Sequence, residues 1–147
     1  MNRVIKFRGK SVVDKKWVYG SFVLCTHNAI ADICDIVVDN DDITQTPVLS
    51  YTVGQFVGLH DENGKEIYEG DIVEWQQYGF TGQKTDTIKG VVYFDTDCGA
   101  YGLNTGFVEN FTWLKIFYNE VDLGDIAVIG NIHDNKKLLK STKLNKF

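Results

Sequence analysis

The sequence predicts a mainly β protein, built of small twisted sheets and closed by one short C-terminal helix. Three observations carry that prediction. Ile5, Phe7 and Gly9 alternate with Lys6, Arg8 and Lys10, the period-2 pattern of a strand with one face on a core and the other in water. Asn63-Gly64 stands between the apolar runs Phe56-Val57-Gly58-Leu59 and Ile67-Tyr68, which is how a β-hairpin reads. Further short runs of β-branched and aromatic residues are bounded by Gly, Asp and Asn, the residues that end strands.

The first strand is expected over residues 3–8, with Lys6, Arg8 and Lys10 on its wet face. Val12 to Lys16 reads as a short turn. Trp17 to Cys25 reads as a second strand that is apolar on both faces and therefore needs cover on each side. A loop around Thr26-His27-Asn28 leads to a third strand near Asp32 to Val38, which the acidic run Asp39-Asn40-Asp41-Asp42 ends. Pro47 is the single proline and makes its segment extended rather than helical.

In the hairpin, Asn63 and Gly64 are both expected at positive φ, as a type I′ turn demands. Gly70-Asp71 breaks the chain again before a strand that starts at Ile72. Gly79 to Asp86 is glycine-rich and polar and reads as an exposed loop. Ile88 to Asp95 and Ala100 to Asn104 carry strand patterns, with a turn at Asp97-Cys98-Gly99. Phe111 to Tyr118 fits a strand or a buried helical turn equally well. Asp125 to Ile132 is a strand, Asp134 is placed to cap a short helix over Asn135 to Lys140, and a frayed lysine-rich tail begins at Ser141.

Three blocks of the chain resemble the YopX family of phage and prophage proteins: IKFRGKSVVDKKWVYGSFV from Ile5, VGQFVGLHDENGKEIYEGDIVEW from Val53, and IGNIHDNKKLL from Ile129. The resemblance implies a phage-encoded protein in the host bacterial cytoplasm, mainly β, with a C-terminal SH3-like barrel. It brings no catalytic residues with it. Together with the strand pattern it divides the chain into an N-terminal β region over 1–52, the central hairpin plus SH3-like β-barrel over 53–140, and the tail over 141–147.

Composition narrows the classes of function. With 44% hydrophobic and 24% charged residues, the 147-residue chain has the make-up of an ordinary globular protein, and at 13% it is rich in aromatics. No run approaches the roughly 18 apolar residues of a membrane helix, and Arg3, Lys6 and Arg8 interrupt any signal-peptide core, so no membrane association is expected. Cys25, Cys34 and Cys98 are odd in number and widely spaced, which fits buried thiols in a reducing compartment. The net charge of −5 is segregated: residues 1–16 and 136–147 are basic, whereas no Lys or Arg occurs from Trp17 to Gly64.

The search for chemistry is mostly empty. Gly70-Asp71 offers a carboxylate, but an Asp after Gly at a strand start ordinarily binds nearby backbone N–H groups. Glu66, Glu69, Asp71 and Glu74 lack the spacing of a cation loop, and His27 with Cys25 and Cys34 lacks the paired cysteines of a zinc site. Cys98 is a lone thiol in a turn, and His60 and His133 sit where imidazole bonds locally. No catalytic residues, metal or cofactor are expected, and the protein is read as a non-enzyme.

What survives is a pattern of basic and aromatic residues. Lys6, Arg8, Lys10, Lys15, Lys16 and Trp17, with Tyr19 nearby, form a candidate nucleic-acid contact. Asn63, Gly64, Gly70 and Asp71 form the candidate structural motif. The leading functional expectation is binding to a host or phage protein and to copies of itself. Nucleic-acid binding through the basic first strand is the alternative. Self-association rests on the aromatic load, three Trp, seven Tyr and nine Phe, and on the runs that look apolar on both faces.

Overall fold

The computed structural model describes residues 3–24, 30–36, 43–78, 80–97, 99–105, 112–113 and 126–140. Among them the protein is mainly β, in two antiparallel sheets, and the chain divides into two compact units, Met1–Gly58 and Leu59–Phe147. No helix among the described residues is long and apolar enough to cross a membrane.

The first unit holds β1 (Phe7–Lys10), β2 (Trp17–Val23), β3 (Ile30–Ile36), β4 (Ile43–Leu49), a 3₁₀ turn at Ser50–Thr52 and most of β5 (Gly54–His60). The first sheet runs β4-β3-β2-β1-β5-β6, where β6 is Glu66–Tyr68. Pro47 lies on the outermost strand, where a missing N–H costs no ladder bond. That strand does not end open, however. Ser11 bridges Val48, and the Val12 N–H donates to the Pro47 carbonyl at 3.0 Å, so the far end of β4 returns to the end of β1. The curl encloses Val48, which is fully buried, with Phe7, Val18, Phe22 and Val53 packed around it.

Four expectations change here. β1 begins at Phe7 rather than residue 3, and β3 spans Ile30–Ile36 rather than 32–38. Arg8 is not on a wet face: it is 5% exposed. Finally, β2 is not covered on both sides, since Tyr19, Ser21 and Val23 are exposed while the alternate residues are partly buried. Among the described residues, the inward side of β2 packs on the curl through Val18 and Phe22, while Tyr19 and Val23 stay exposed on the outward side. The loop at Thr26-His27-Asn28, the run Asp39 to Asp42, and Cys25 lie outside the described residues.

The second unit contains the rest of the hairpin, β7 (Asp71–Tyr78), β8 (Lys84–Asp95), β9 (Ala100–Asn104), β10 (Thr112–Trp113), β11 (Ile126–Asn131) and α1 (Lys136–Lys140). Its five-stranded antiparallel sheet runs β10-β9-β8-β7-β11. Of the region 53–140, to which the resemblance assigns the hairpin and an SH3-like barrel, β7 to β11 form this sheet while β5 and β6 belong to the first. Burial on both faces occurs in β7, an interior strand paired on both sides, where consecutive Asp71, Ile72 and Val73 are all within 1% of full burial. Ile72, Val91 and Leu139 of α1 pack together with Ile129, Ile132 and Leu138 around them.

β9 matches the expected bounds, while β8 starts at Lys84 and shortens the loop before it. Phe80 in that loop is fully exposed. Of the ambiguous run Phe111 to Tyr118, the described residues Thr112–Trp113 form β10. Cys98 and the tail from Ser141 lie outside the described residues.

The hairpin turn is a different turn from the one expected. Gly64 has φ +77°, but Asn63 is not at positive φ, which excludes type I′. Instead the Gly64 N–H donates to the Asp61 carbonyl at 2.9 Å, and the Asp61 N–H to the Lys65 carbonyl at 2.8 Å. A turn followed by a left-handed glycine fits this pattern. Gly64→Val should therefore destabilise the protein by roughly 1–3 kcal/mol, because a β-branched residue is strained at this φ. Thermal melting checks it, and an unchanged melting temperature would show that the turn relaxes freely.

Candidate functional site

Because side chains directly opposite in an antiparallel pair share a face, the register of β1 and β2 decides which residues meet. Arg8 lies opposite Tyr19 and Lys10 opposite Trp17, so the basic residues of β1 share a face with the aromatic residues of β2. This is the outward face, since Phe7 and Phe22 meet on the inner one with ring centroids 5.3 Å apart. The cations lie on the rings. The Arg8 guanidinium is 4.6 Å from the Trp17 ring centre, Lys10 Nζ is 5.4 Å from the same ring, and Lys6 Nζ is 5.7 Å from that of Tyr19. Such contacts contribute roughly 0.5–1 kcal/mol when exposed and about 2 kcal/mol when desolvated, which makes the buried Arg8 the anchor of the face.

Lys15 and Lys16 do not join this group. Lys15 adopts φ 60° in the turn between β1 and β2, and its Nζ donates to the Val12 carbonyl at 2.8 Å. Lys16 pairs with Asp14 at 3.6 Å on the exposed side of the turn. Of the candidate contacts, Lys6, Arg8, Lys10 and Trp17 form one constellation, joined by Tyr19.

The second constellation is made of carboxylates, and it binds backbone. Asp71 is 1% exposed, and its Oδ2 accepts the Tyr68 N–H at 2.8 Å, fixing the turn that Gly70 opens at φ +80°. Tyr68 in turn donates its hydroxyl to Glu66 at 2.6 Å. Asp61, which the sequence reading passed over, does more. Its Oδ1 accepts the N–H groups of Asn63 (2.9 Å) and Lys65 (2.8 Å), and its Oδ2 accepts the Val128 N–H at 3.0 Å. Burial raises the pKa of this carboxyl, but the N–H groups of Val128, Lys65 and Asn63 outweigh it and hold the group below its ordinary value. The available signal was an Asp two residues before Asn63, the spacing of an Asx turn.

The loop Gly130 to Asn135 closes on itself and then on Gly70. Asn131 Oδ1 accepts the N–H groups of His133 (3.0 Å) and Asp134 (2.9 Å), and Asn135 Oδ1 accepts the Asn131 N–H at 3.1 Å. Asn135, not Asp134, directly precedes α1, and the Asp134 carboxylate accepts the Asn131 Nδ2–H at 3.1 Å. The Ile132 N–H donates to the Gly70 carbonyl at 2.9 Å. The two sequence blocks around residues 61–71 and 128–135 are thus stitched together at Asp61–Val128 and Gly70–Ile132.

These are the parts of the chain that a known family shares. The profile described as YopX protein matches residues 6–140, which span all three blocks and nearly the whole length. The chain belongs to the YopX family. Among solved structures, this YopX protein is similar to protein EF1440 from Enterococcus faecalis, with 21% identity, 94% of this chain and 99% of that one covered, and a TM-score of 0.55. That likeness concerns the fold alone. No curated protein matches. Among the described residues of this YopX protein, no three or more His, Cys, Asp or Glu side chains stand together as metal ligands.

Proposed function

We propose that this YopX-family protein, phage-encoded and acting in the host bacterial cytoplasm, works without catalysis, by binding a protein partner and copies of itself. The observation that carries the reading is the outward face of β1 and β2. It presents Trp17 and Tyr19 with basic residues laid on them, and Val23 follows on the same face at 42% exposure. Aromatic and arginine side chains at the centre of a water-excluding patch are the groups that dominate protein interfaces. Support for a non-catalytic role comes from the carboxylates: Asp61 and Asp71, the acids best placed to do chemistry, hold backbone N–H groups instead.

Self-association is tested by light scattering coupled to size exclusion at micromolar protein. The expected mass is a multiple of 16.6 kDa, falling to 16.6 kDa when Tyr19 and Val23 are replaced by Glu. A wild-type mass of 16.6 kDa overturns the self-contact.

A further inference from the structure

Resting on that reading of the outward face, we propose that its partner is an extended acidic protein segment, with Asp or Glu at alternate residues, lying along β1. Lys6, Arg8 and Lys10 are alternate residues of one extended run, so their Cα atoms repeat every ~6.7 Å. An extended peptide repeats its own alternate side chains at the same interval, so acids two repeats apart meet Lys6 and Lys10 together, with the buried charge of Arg8 beneath the acid between them. A helix presents same-face side chains at a different interval and meets them out of step.

The cations are also held in place before the partner arrives. Each rests on an aromatic ring, Lys6 on Tyr19 and both Arg8 and Lys10 on Trp17, which reduces the side-chain freedom that binding would otherwise remove. Arg8 is buried, a fixed charge between two half-buried lysines. β1 lies between β2 and β5 in the sheet, so its own edges are taken and the segment docks on the face through side chains, not as an added strand.

The same geometry weighs against nucleic acid. Bases bind such surfaces by stacking on aromatic rings, and here each ring already carries a cation. A chain of net charge −5 also repels a long polyanion more than it repels a short acidic segment.

The test uses the full chain and three fluorescent probes: the synthetic pentapeptide Glu-Thr-Glu-Thr-Glu with capped ends, its capped isomer Glu-Glu-Glu-Thr-Thr, in which no two acids stand four residues apart, and a single-stranded oligonucleotide of similar charge. Anisotropy should show the alternating peptide binding with about tenfold higher affinity than its blocked isomer, since only the alternating order sets acids over both Lys6 and Lys10 at once. Binding should weaken as salt rises and disappear in Lys6→Glu with Lys10→Glu. Arg8 is left intact because it is buried. Should the double variant fold poorly, judged by circular dichroism, Lys6→Gln with Lys10→Gln removes the same charges and should lose the same affinity. Equal binding of both peptides, abolished by the charge changes, overturns the alternating register while leaving the binding face standing. An oligonucleotide that binds more tightly than the alternating peptide overturns the choice of partner. Binding that survives both double variants overturns the site.

Discussion

Replacing Asp61 with alanine should lower stability by about 3 kcal/mol, because three backbone N–H groups lose a charged acceptor inside the fold. Asp61 is 7% exposed, so water reaches the vacated site poorly. Asp61→Asn is the more informative partner variant. Its amide oxygen can still accept from Asn63 and Lys65, but an NH₂ group would then face the Val128 N–H, donor against donor. The two variants also differ from the wild type in acid. The Asp61 carboxyl is depressed in the folded state, so its contribution is complete above its unfolded pKa and is lost as pH falls through the folded value. On acidification below about pH 4 the wild type should therefore lose stability that neither variant has left to lose. Urea unfolding followed through Trp75, which is buried in the same unit, reads both effects. An Asp61→Ala curve superposing on the wild type would show that the hairpin and β11 are held by something else.

Gly130→Ala should cost about 2 kcal/mol, a large effect for one methyl group. A Cβ at that position would stand 2.6 Å from Oδ1 and 2.7 Å from Cγ of Asn135, distances that real Cβ atoms do not show. Asn135 has little freedom to retreat, because its Oδ1 accepts the Asn131 N–H and its own N–H donates to the Asn131 carbonyl. Moving it would unpick the loop that precedes α1 and, with it, the seating of Leu139 on Ile72 and Val91. The penalty comes from this collision and not from backbone strain. In a double-mutant cycle, Asn135→Ala should absorb part of the Gly130→Ala cost, leaving the pair less damaging than the sum. Additive losses would mean the two residues do not press on each other.

The elements most legible in the sequence were those whose signal is local. Ala100 to Asn104 is a short run that begins directly after the turn residues Asp97 to Gly99, and Gly70-Asp71 declares its turn within two residues. Both appear as read. The readings that changed depend on neighbours that sequence spacing does not reveal. Arg8 alternates like a solvent residue, yet Trp17 covers it from the next strand. Trp17 to Cys25 and Ile72 to Trp75 are both apolar runs and both fall on interior strands, but of the two only β7 has buried residues in succession, Asp71 to Val73. Asn63-Gly64 promised a two-residue turn, but the Asp61 carboxylate gathers Asn63 and Lys65 into a longer one. The basic and aromatic residues were named from composition. Their arrangement as cations laid on rings follows from the register of β1 with β2, which no single strand specifies.

The bond from Asp61 to Val128 joins residues 67 positions apart, and this sets an order of events during synthesis. When the hairpin leaves the ribosome, its carboxylate can hold Asn63 and Lys65 but not Val128, which has yet to be made. The Gly70 carbonyl likewise waits for Ile132. The nascent second unit is therefore an unlocked hairpin and sheet until almost the whole chain has emerged, and the C-terminal block acts as its latch. Since closing a chain grows only slowly more costly with length, about 0.6 kcal/mol for each doubling, a wait of 67 positions adds little to the cost of setting the latch.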